Sequence, residues 1–379
     1  METFVDYTGK QRVVQNTEGR SAGAFDEVPL IDIAPFLNPS ATPAEKAAVV
    51  AQVRHACEDV GFMYLKGHGI SPKIEEAAFE QARVFFDQDV AAKQELDYRR
   101  SAVFRGYEGL KGNAQGDTKE AFNWANLPGI SKIGYEPVAD PLNPSDEPAE
   151  DDAAAGSGRN VWPSSDSPAA GLRSAVLAHY GACLVLGRRL IQLFALALDL
   201  PEDTFDEAFK VPGVLGRVLH YPPQASSSTV SIGVNAHNDI ELFTLLLQGP
   251  DLACLEVLNR SGEWLLVPPI PGTLVCNIGD MLARWTNDRF VSTTHRVVNK
   301  TGERRFSMPV FFGPNYSTVI ETFPQFLAPG EKSKYEPITA GEYVWRRLAR
   351  SRLGRKYDET VKLEDAVKIE VPVSVEAAA

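Results

Sequence analysis

The hydrophobic positions of this chain change period about halfway along. Up to about residue 200 they recur mostly at helical spacing; from Val214 they fall in short apolar or alternating runs broken by Gly, Pro and Asn. In the first part, residues 28–33 (VPLIDI) form a short apolar run suited to a strand. Thr42, Pro43 and Glu45 then supply an N-cap, a proline at the first helical position and a capping-box acid. The helix they open is apolar at Val49, Val50, Val53, Cys57 and Val60. Residues 61–65 (GFMYL) predict a strand ended by the turn Gly67-His68-Gly69, and Ser71-Pro72 caps a second helix with Ile74, Phe79 and Val84 among its apolar positions. A long scaffold helix is predicted from Ser167-Pro168 (about 168–200), apolar at Leu172, Val176, Cys183, Leu190, Phe194 and Leu198.

Eight strands are predicted in the second part, at 214–221, 230–236, 241–248, 253–258, 264–268, 273–278, 291–298 and 304–312. Close spacing without an internal repeat predicts a β-sandwich or barrel, the double-sheet jelly roll included. The fold class is therefore mainly β with flanking helices. Residues 1–120 read as a helical and mixed region packed on the barrel. Residues 121–379 read as the barrel with its scaffold helix, an acidic, turn-rich surface loop at 139–160 and a C-terminal helix. The two parts are expected to work as one domain.

Charge and composition narrow the function. A net charge of −12 over 379 residues argues against a nucleic-acid partner, since phosphate binding rests on basic surface. The one basic cluster (Arg346, Arg347, Arg350, Arg352, Arg355, Lys356) has helical spacing and reads as a solvated face of the C-terminal helix. The four cysteines are scattered in apolar surroundings and read as core residues, neither a zinc knot nor a disulfide framework. No run approaches the roughly 20 apolar residues of a membrane span. The start, METFVDYTGKQ, does not look like a secretory signal, so no membrane association and a cytoplasmic location are expected. Nothing in the sequence sets an oligomeric state.

The candidate chemistry begins at His237-Asn238-Asp239. On a strand, positions i and i+2 share a face, so the imidazole and carboxylate would project together into the barrel while Asn238 points away. Alone, such a triplet is as well explained as a polar strand end. A second imidazole, His295, stands in another strand-like run. Two imidazoles and a carboxylate on a rigid β frame meet the facial-triad requirement of non-haem Fe(II), although zinc accepts similar ligands. On the next strand Arg305 and Ser307 share a face, and a guanidinium fork beside a hydroxyl is a well-shaped receptor for a carboxylate. Beside a metal with open positions, that combination fits a diacid that chelates the metal at one end and pairs with arginine at the other.

In this order, His-X-Asp, His and Arg-X-Ser resemble the isopenicillin N synthase-like branch of the Fe(II)/2-oxoglutarate-dependent dioxygenases. The resemblance covers nearly the whole chain: residues 29–32 (PLID), 61–62 (GF), 67–69 (GHG), 220–223 (HYPP), 255–257 (LEV), Trp264, 268–269 (PP), Gly272, 277–280 (NIGD), Asn287, Pro309, Phe311 and Phe312 all match family motifs. It implies a distorted double-stranded β-helix, or jelly roll. It also implies Fe(II) held by His237, Asp239 and His295, with 2-oxoglutarate and O2 as co-substrates. Arg305 and Ser307 would bind the distal carboxylate of 2-oxoglutarate, and Tyr221 would hydrogen-bond the same co-substrate. Two departures stand out. Asn238 replaces the common threonine, and Leu219 stands where many plant members carry an asparagine that helps hold 2-oxoglutarate, so that contact is expected to be missing or replaced.

The remaining polar residues have blander readings. His68 is expected to be structural or at the surface, His55 and His179 to sit at solvated helix edges, and His220 on the strand face opposite Tyr221. Asn277 and Asp280 read as turn residues. For the substrate, Phe104, Arg105, Tyr107, Phe122, Trp285 and Phe312 are candidates, each weighed against a core or loop-fixing role. The expected activity is oxidation of a small organic molecule by hydroxylation, desaturation or ring rearrangement. Likeness over 233–316 to microbial members that tailor small secondary metabolites suggests that role. The rival readings are an iron oxidase of the same fold that does not use 2-oxoglutarate, and a non-catalytic metal-binding jelly-roll protein.

Overall fold

The computed structural model describes residues 2–5, 11–14, 25–101, 105–110, 117–125, 160–210, 212–223, 232–250, 252–299 and 301–353. In chain order the strands are β1 (Glu2–Val5), β2 (Gln11–Val14), β3 (Leu30–Asp32), β4 (Phe62–Lys66), β5 (Gly106–Glu108), β6 (Glu120–Ala125), β7 (Val214–Tyr221), β8 (Ile232–His237), β9 (Phe243–Gln248), β10 (Leu255–Leu258), β11 (Trp264–Val267), β12 (Thr273–Ile278), β13 (His295–Val298), β14 (Arg305–Phe312), β15 (Val319–Ile320) and β16 (Ile338–Thr339). The α-helices are α1 (Ala34–Leu37), α2 (Pro43–His55), α3 (Pro72–Phe86), α4 (Val90–Gln94), α5 (Leu172–Ala197), α6 (Asp280–Trp285) and α7 (Ala340–Leu353).

Two facing sheets form the jelly roll, one ordered β3-β4-β12-β9-β14-β7-β6-β5 and the other β11-β10-β13-β8. All eight strands expected after Val214 are present. Strands β5 and β6 were not expected; they extend the large sheet beyond β7. The large sheet has two buried faces. Its outer face packs against α2, α3 and α5 in a core that includes Phe85, Leu190, Phe194, Phe243 and Phe312. Its inner face meets the small sheet across a second apolar cluster containing Phe62, Leu219, Tyr221, Leu255 and Val297. Alternation along each strand therefore sorts side chains between a packed core and the barrel interior.

Local signals account for the element ends. Thr42 and Glu45 form the capping box on α2, with Pro43 at its first position. The chain continues as a π-helical turn over Ala56–Val60 and leaves it through Gly61 at φ 74°. Ser71 opens α3 without a side-chain cap. Helix α5 begins at Leu172, later than the Ser167-Pro168 signal, because the intervening residues form turns. By length and composition α5 could cross a membrane, contrary to the sequence expectation, yet most of it is buried in the protein, as in a core helix. The acidic segment expected as a surface loop lies, apart from Asn160, outside the described residues.

Helix α5 meets the sheet closely at Gly187. A Cβ there would overlap the ring of Phe312, which is stacked on Phe243 at 4.7 Å. Gly187→Ala should therefore lower unfolding stability by roughly 1–3 kcal/mol through overpacking, despite alanine's better helix propensity. Denaturant unfolding of the two proteins measures this; an unchanged or raised midpoint would contradict the packing account.

Candidate metal centre and its cavity

Strand β8 ends at His237 and β13 begins at His295, and the two residues are partners across the ladder. Their rings stand side by side with centroids 4.2 Å apart, and Phe62 packs edge-on against His295. Asp239 lies just beyond the end of β8, a correction to its expected place on the strand. Other contacts aim it. Its Oδ2 accepts hydrogen bonds from Thr244 Oγ1 (2.5 Å) and Asn277 Nδ2 (2.7 Å). Its Oδ1 is left 3.6 Å from His237 Nε2 and 3.7 Å from His295 Nε2.

The imidazoles are tied from behind. His237 Nδ1 donates to Asn235 O at 2.7 Å and His295 Nδ1 to Thr293 O at 3.2 Å, so Nε2 is the nitrogen that each ring can offer to a metal. The three candidate ligand atoms lie within 4.8 Å of one another. Burial pushes His237 below the ordinary histidine range, and neighbouring His295 adds to this, favouring the neutral imidazole a metal requires. Burial alone would raise Asp239, but His295, His237 and the hydrogen bonds from Asn277 and Thr244 outweigh it and keep the carboxylate anionic. Two imidazoles and one carboxylate fit Fe(II).

The same cavity, about 170 Å³, reaches Arg305, Ser307 and Tyr221. On β14 Arg305 sits opposite Tyr221 of β7, and Ser307 opposite Leu219. The Arg305 guanidinium lies 5.0 Å from the centre of the Tyr221 ring, and its Nη2 donates to Gln248 Oε1 at 3.2 Å. Its Nε and Nη1 are buried without a hydrogen-bond partner among the described residues. Unsatisfied buried polar groups cost about 1–3 kcal/mol each, more when charged, so this end of the cavity is shaped for an anionic ligand. Leu219 lines the cavity as an apolar side chain, and Gln248 is the polar neighbour that sequence reasoning missed.

The aromatic candidates for the substrate wall fare differently. Phe104 lies outside the described residues. Tyr107 hydrogen-bonds Glu120 at 2.5 Å, Phe122 packs on Phe85, Trp285 stacks on Phe205 and Phe312 on Phe243. None of these four lines the cavity, nor does Arg105, which is buried beside Tyr316 and Tyr180. The reason is strand parity. Glu108, rather than Tyr107, and Phe311, rather than Phe312, face the interior. The charged wall was missed altogether: Glu108 bridges Lys119 Nζ (2.9 Å) and Arg217, and Asp117 accepts from Asn235 N at 3.0 Å.

Several bland readings also need correction. His179 is fully buried against Cys183 and is pushed down to about 4 by burial, with His68 adding to the effect. Asn277 lies on β12 and Asp280 opens α6; neither is a loop residue. Arg347 is buried, not solvated: it pairs with Asp280 at 2.5 Å and donates to Asn238 O at 3.2 Å. Side chains from Arg350 to Lys356 lie outside the described set. The four cysteines are free and buried, as expected. His68 is structural, its Nδ1 accepting from Ile70 N, and His220 pairs with Glu120 at 2.7 Å, away from the cavity.

Residues 28–165 match the family described as non-haem dioxygenase in morphine synthesis N-terminal, and residues 215–314 the 2OG-Fe(II) oxygenase superfamily. Over 334 residues the chain is 35% identical to the 2-oxoglutarate-Fe(II) type oxidoreductase ppzC of Metarhizium majus, covering 85% of this chain and 87% of that protein. It is 32% identical to the homoarginine-6-hydroxylase 2-ODD-C23 of Glycine max, over 78% of this chain and 88% of that one. Among solved structures, a full-length Neurospora crassa protein in complex with alpha-KG and 5-formyluracil superposes with a TM-score of 0.70 at 27% identity, covering 87% of this chain and 99% of that one.

Proposed function

The chain belongs to the 2OG-Fe(II) oxygenase superfamily and is an Fe(II)- and 2-oxoglutarate-dependent dioxygenase; on that premise we propose the roles of its residues. His237, Asp239 and His295 are the iron ligands. Arg305 and Ser307 receive the distal carboxylate of 2-oxoglutarate, and Tyr221 hydrogen-bonds the same molecule. One observation carries this reading above the others. The three convergent ligand atoms share a cavity with two unpaired guanidinium donors of Arg305.

When bound, iron, 2-oxoglutarate and O2 supply the oxidising power that attacks a C–H bond. The protein's own part is positional. Asn235 and Thr293 fix the imidazole orientation through their carbonyls, and Thr244 and Asn277 hold Asp239 with one oxygen turned inward. Gln248 and the Tyr221 ring hold Arg305 toward the cavity. Phe62, Val234, Leu255 and Val297 line the chamber with apolar surface and help exclude water.

We read residues 1–120 and 121–379 as one functional unit, since β3, β4 and β5 complete the sheet that carries Arg305 and Thr244. The enzyme acts on a small molecule, which we assign to secondary metabolism on the likeness to fungal oxidoreductases such as ppzC. With a net charge of −12, nucleic acid is not proposed as a substrate. Succinate formation, followed across a panel of small metabolites, tests the reading. Guanidino amino acids belong in the panel because a relative is a homoarginine-6-hydroxylase. At least one compound should raise succinate above its substrate-free background, with an oxidised product formed in parallel.

The residues behind Asp239 give a finer test. Asn277→Ala removes one of the two hydrogen bonds that orient the carboxylate. Iron affinity should fall by about 10- to 100-fold, the usual cost of losing such a partner, while the Arg305 end is untouched. Fe(II) titration by competition with a coloured chelator measures it; wild-type affinity would show that Asn277 does not orient a ligand.

A further inference from the structure

Among the described residues, four carboxylates line the cavity: Glu108, Asp117, Asp239 and Glu241. Three are engaged by other residues. Glu108 holds Lys119 and Arg217, Asp117 accepts from the backbone and side-chain nitrogens of Asn235, and Asp239 accepts from Thr244 and Asn277. Glu241 is 7% exposed, and its carboxylate meets only its own backbone N–H, with no ion pair among the described residues. Arg347, a cation among the described residues that acts on Glu241, is taken by Asp280 (2.5 Å), the Tyr343 hydroxyl (2.9 Å) and Asn238 O (3.2 Å). A buried carboxyl without a counter-charge takes up a proton unless a cation in the chamber pairs with it.

Its position says which molecule that is. Glu241 packs against Gly313, just past the end of β14, whereas Arg305 starts that strand. At about 3.3 Å per residue the two ends of the strand are roughly 25 Å apart. The ligand triad lies between them along the strand, since Thr244, which holds Asp239, pairs with Phe311. A five-carbon diacid running from the triad toward Arg305 extends away from Glu241. What meets Glu241 is the other occupant of the chamber, the molecule being oxidised. Arg347 and Leu348 of α7 also line the cavity.

We propose that Glu241 is a specificity-determining residue that recognises a cationic nitrogen of the substrate (an amine, amidine or guanidine), placing the carbon beside it at the metal. This rests on the iron and 2-oxoglutarate reading above. A cation forms charge-assisted hydrogen bonds with the carboxylate; a neutral isostere leaves it less well paired, and that difference discriminates between them.

The test measures binding to wild-type protein loaded anaerobically with Fe(II) and 2-oxoglutarate. Matched probes are L-homoarginine against L-homocitrulline and benzylamine against benzyl alcohol, followed by calorimetry. In at least one pair the cation should bind about tenfold or more tightly. Glu241→Gln should bring that ratio close to one and leave the affinities for Fe(II) and 2-oxoglutarate in place, which also shows that the site is folded. Glu241→Asp should retain a reduced preference. If no pair shows the preference in wild type, or if it survives in Glu241→Gln, the inference is wrong while the iron reading stands. Failure of Fe(II) or 2-oxoglutarate to bind wild type would instead overturn the iron reading and this inference with it.

Discussion

Asp239→Ala is expected to abolish turnover and stoichiometric iron binding while the protein remains folded. The substitution removes the only anion among the three ligands. It leaves two neutral imidazoles, which hold a divalent metal weakly, and it strips Thr244 and Asn277 of their shared acceptor. Orphaned buried donors cost about 1–3 kcal/mol, so a modest loss of stability is expected. The main core lies on the other face of the large sheet and is not involved. His237→Ala and His295→Ala should behave alike in activity. Metal content after anaerobic loading, together with the rate of succinate formation, measures the effect. Wild-type iron content in Asp239→Ala would remove the triad from consideration.

Arg305→Gln should raise the 2-oxoglutarate concentration needed for half-maximal rate at least tenfold, with iron still bound. The lost contact is a charge-assisted one from a buried guanidinium, and hydrogen bonds to charged groups contribute about 1.5–3 kcal/mol each. Glutamine keeps some length and polarity but neither the charge nor the fork, and Gln248 loses its donor. Ser307→Ala removes a single hydroxyl and should do less. A titration of 2-oxoglutarate for the three proteins ranks them. An unchanged requirement in Arg305→Gln would move the co-substrate's distal carboxylate elsewhere in the cavity.

Much of this architecture is written in short-range patterns. The capping box at Thr42 and Glu45 forms as read, and each of the eight predicted strands after Val214 exists, because alternating runs bounded by Gly, Pro and Asn have few other ways to fold. Strands β5 and β6 escaped because they are buried throughout and flanked by segments with no periodic signal. The ligand residue types and order were legible; Asp239's support was not. Thr244 and Asn277 come from two other strands, and only the pairing of β9 with β12 brings them together.

The substrate wall failed for a different reason. Choosing aromatic residues favoured Tyr107 and Phe312, when a one-residue shift in parity moves the interior face to Glu108 and Phe311. The parity was readable from Arg305 and Ser307, since Phe311 shares their alternation and Phe312 does not. His179 and Arg347 were likewise recoverable. His179 follows Val176 and precedes Cys183 on the apolar face of α5, and Arg347 falls on the face of α7 that carries Ala340 and Val344.

The most direct measurement is an anaerobic titration of Fe(II) and 2-oxoglutarate into wild type, Asp239→Ala and Arg305→Gln, following the visible charge-transfer absorption of the chelated metal. Wild type should develop the band to saturation at one iron per chain. Asp239→Ala should show none, and Arg305→Gln should reach it only at markedly higher 2-oxoglutarate. The same band in Asp239→Ala, or an unshifted 2-oxoglutarate curve in Arg305→Gln, would contradict the assignment of these residues.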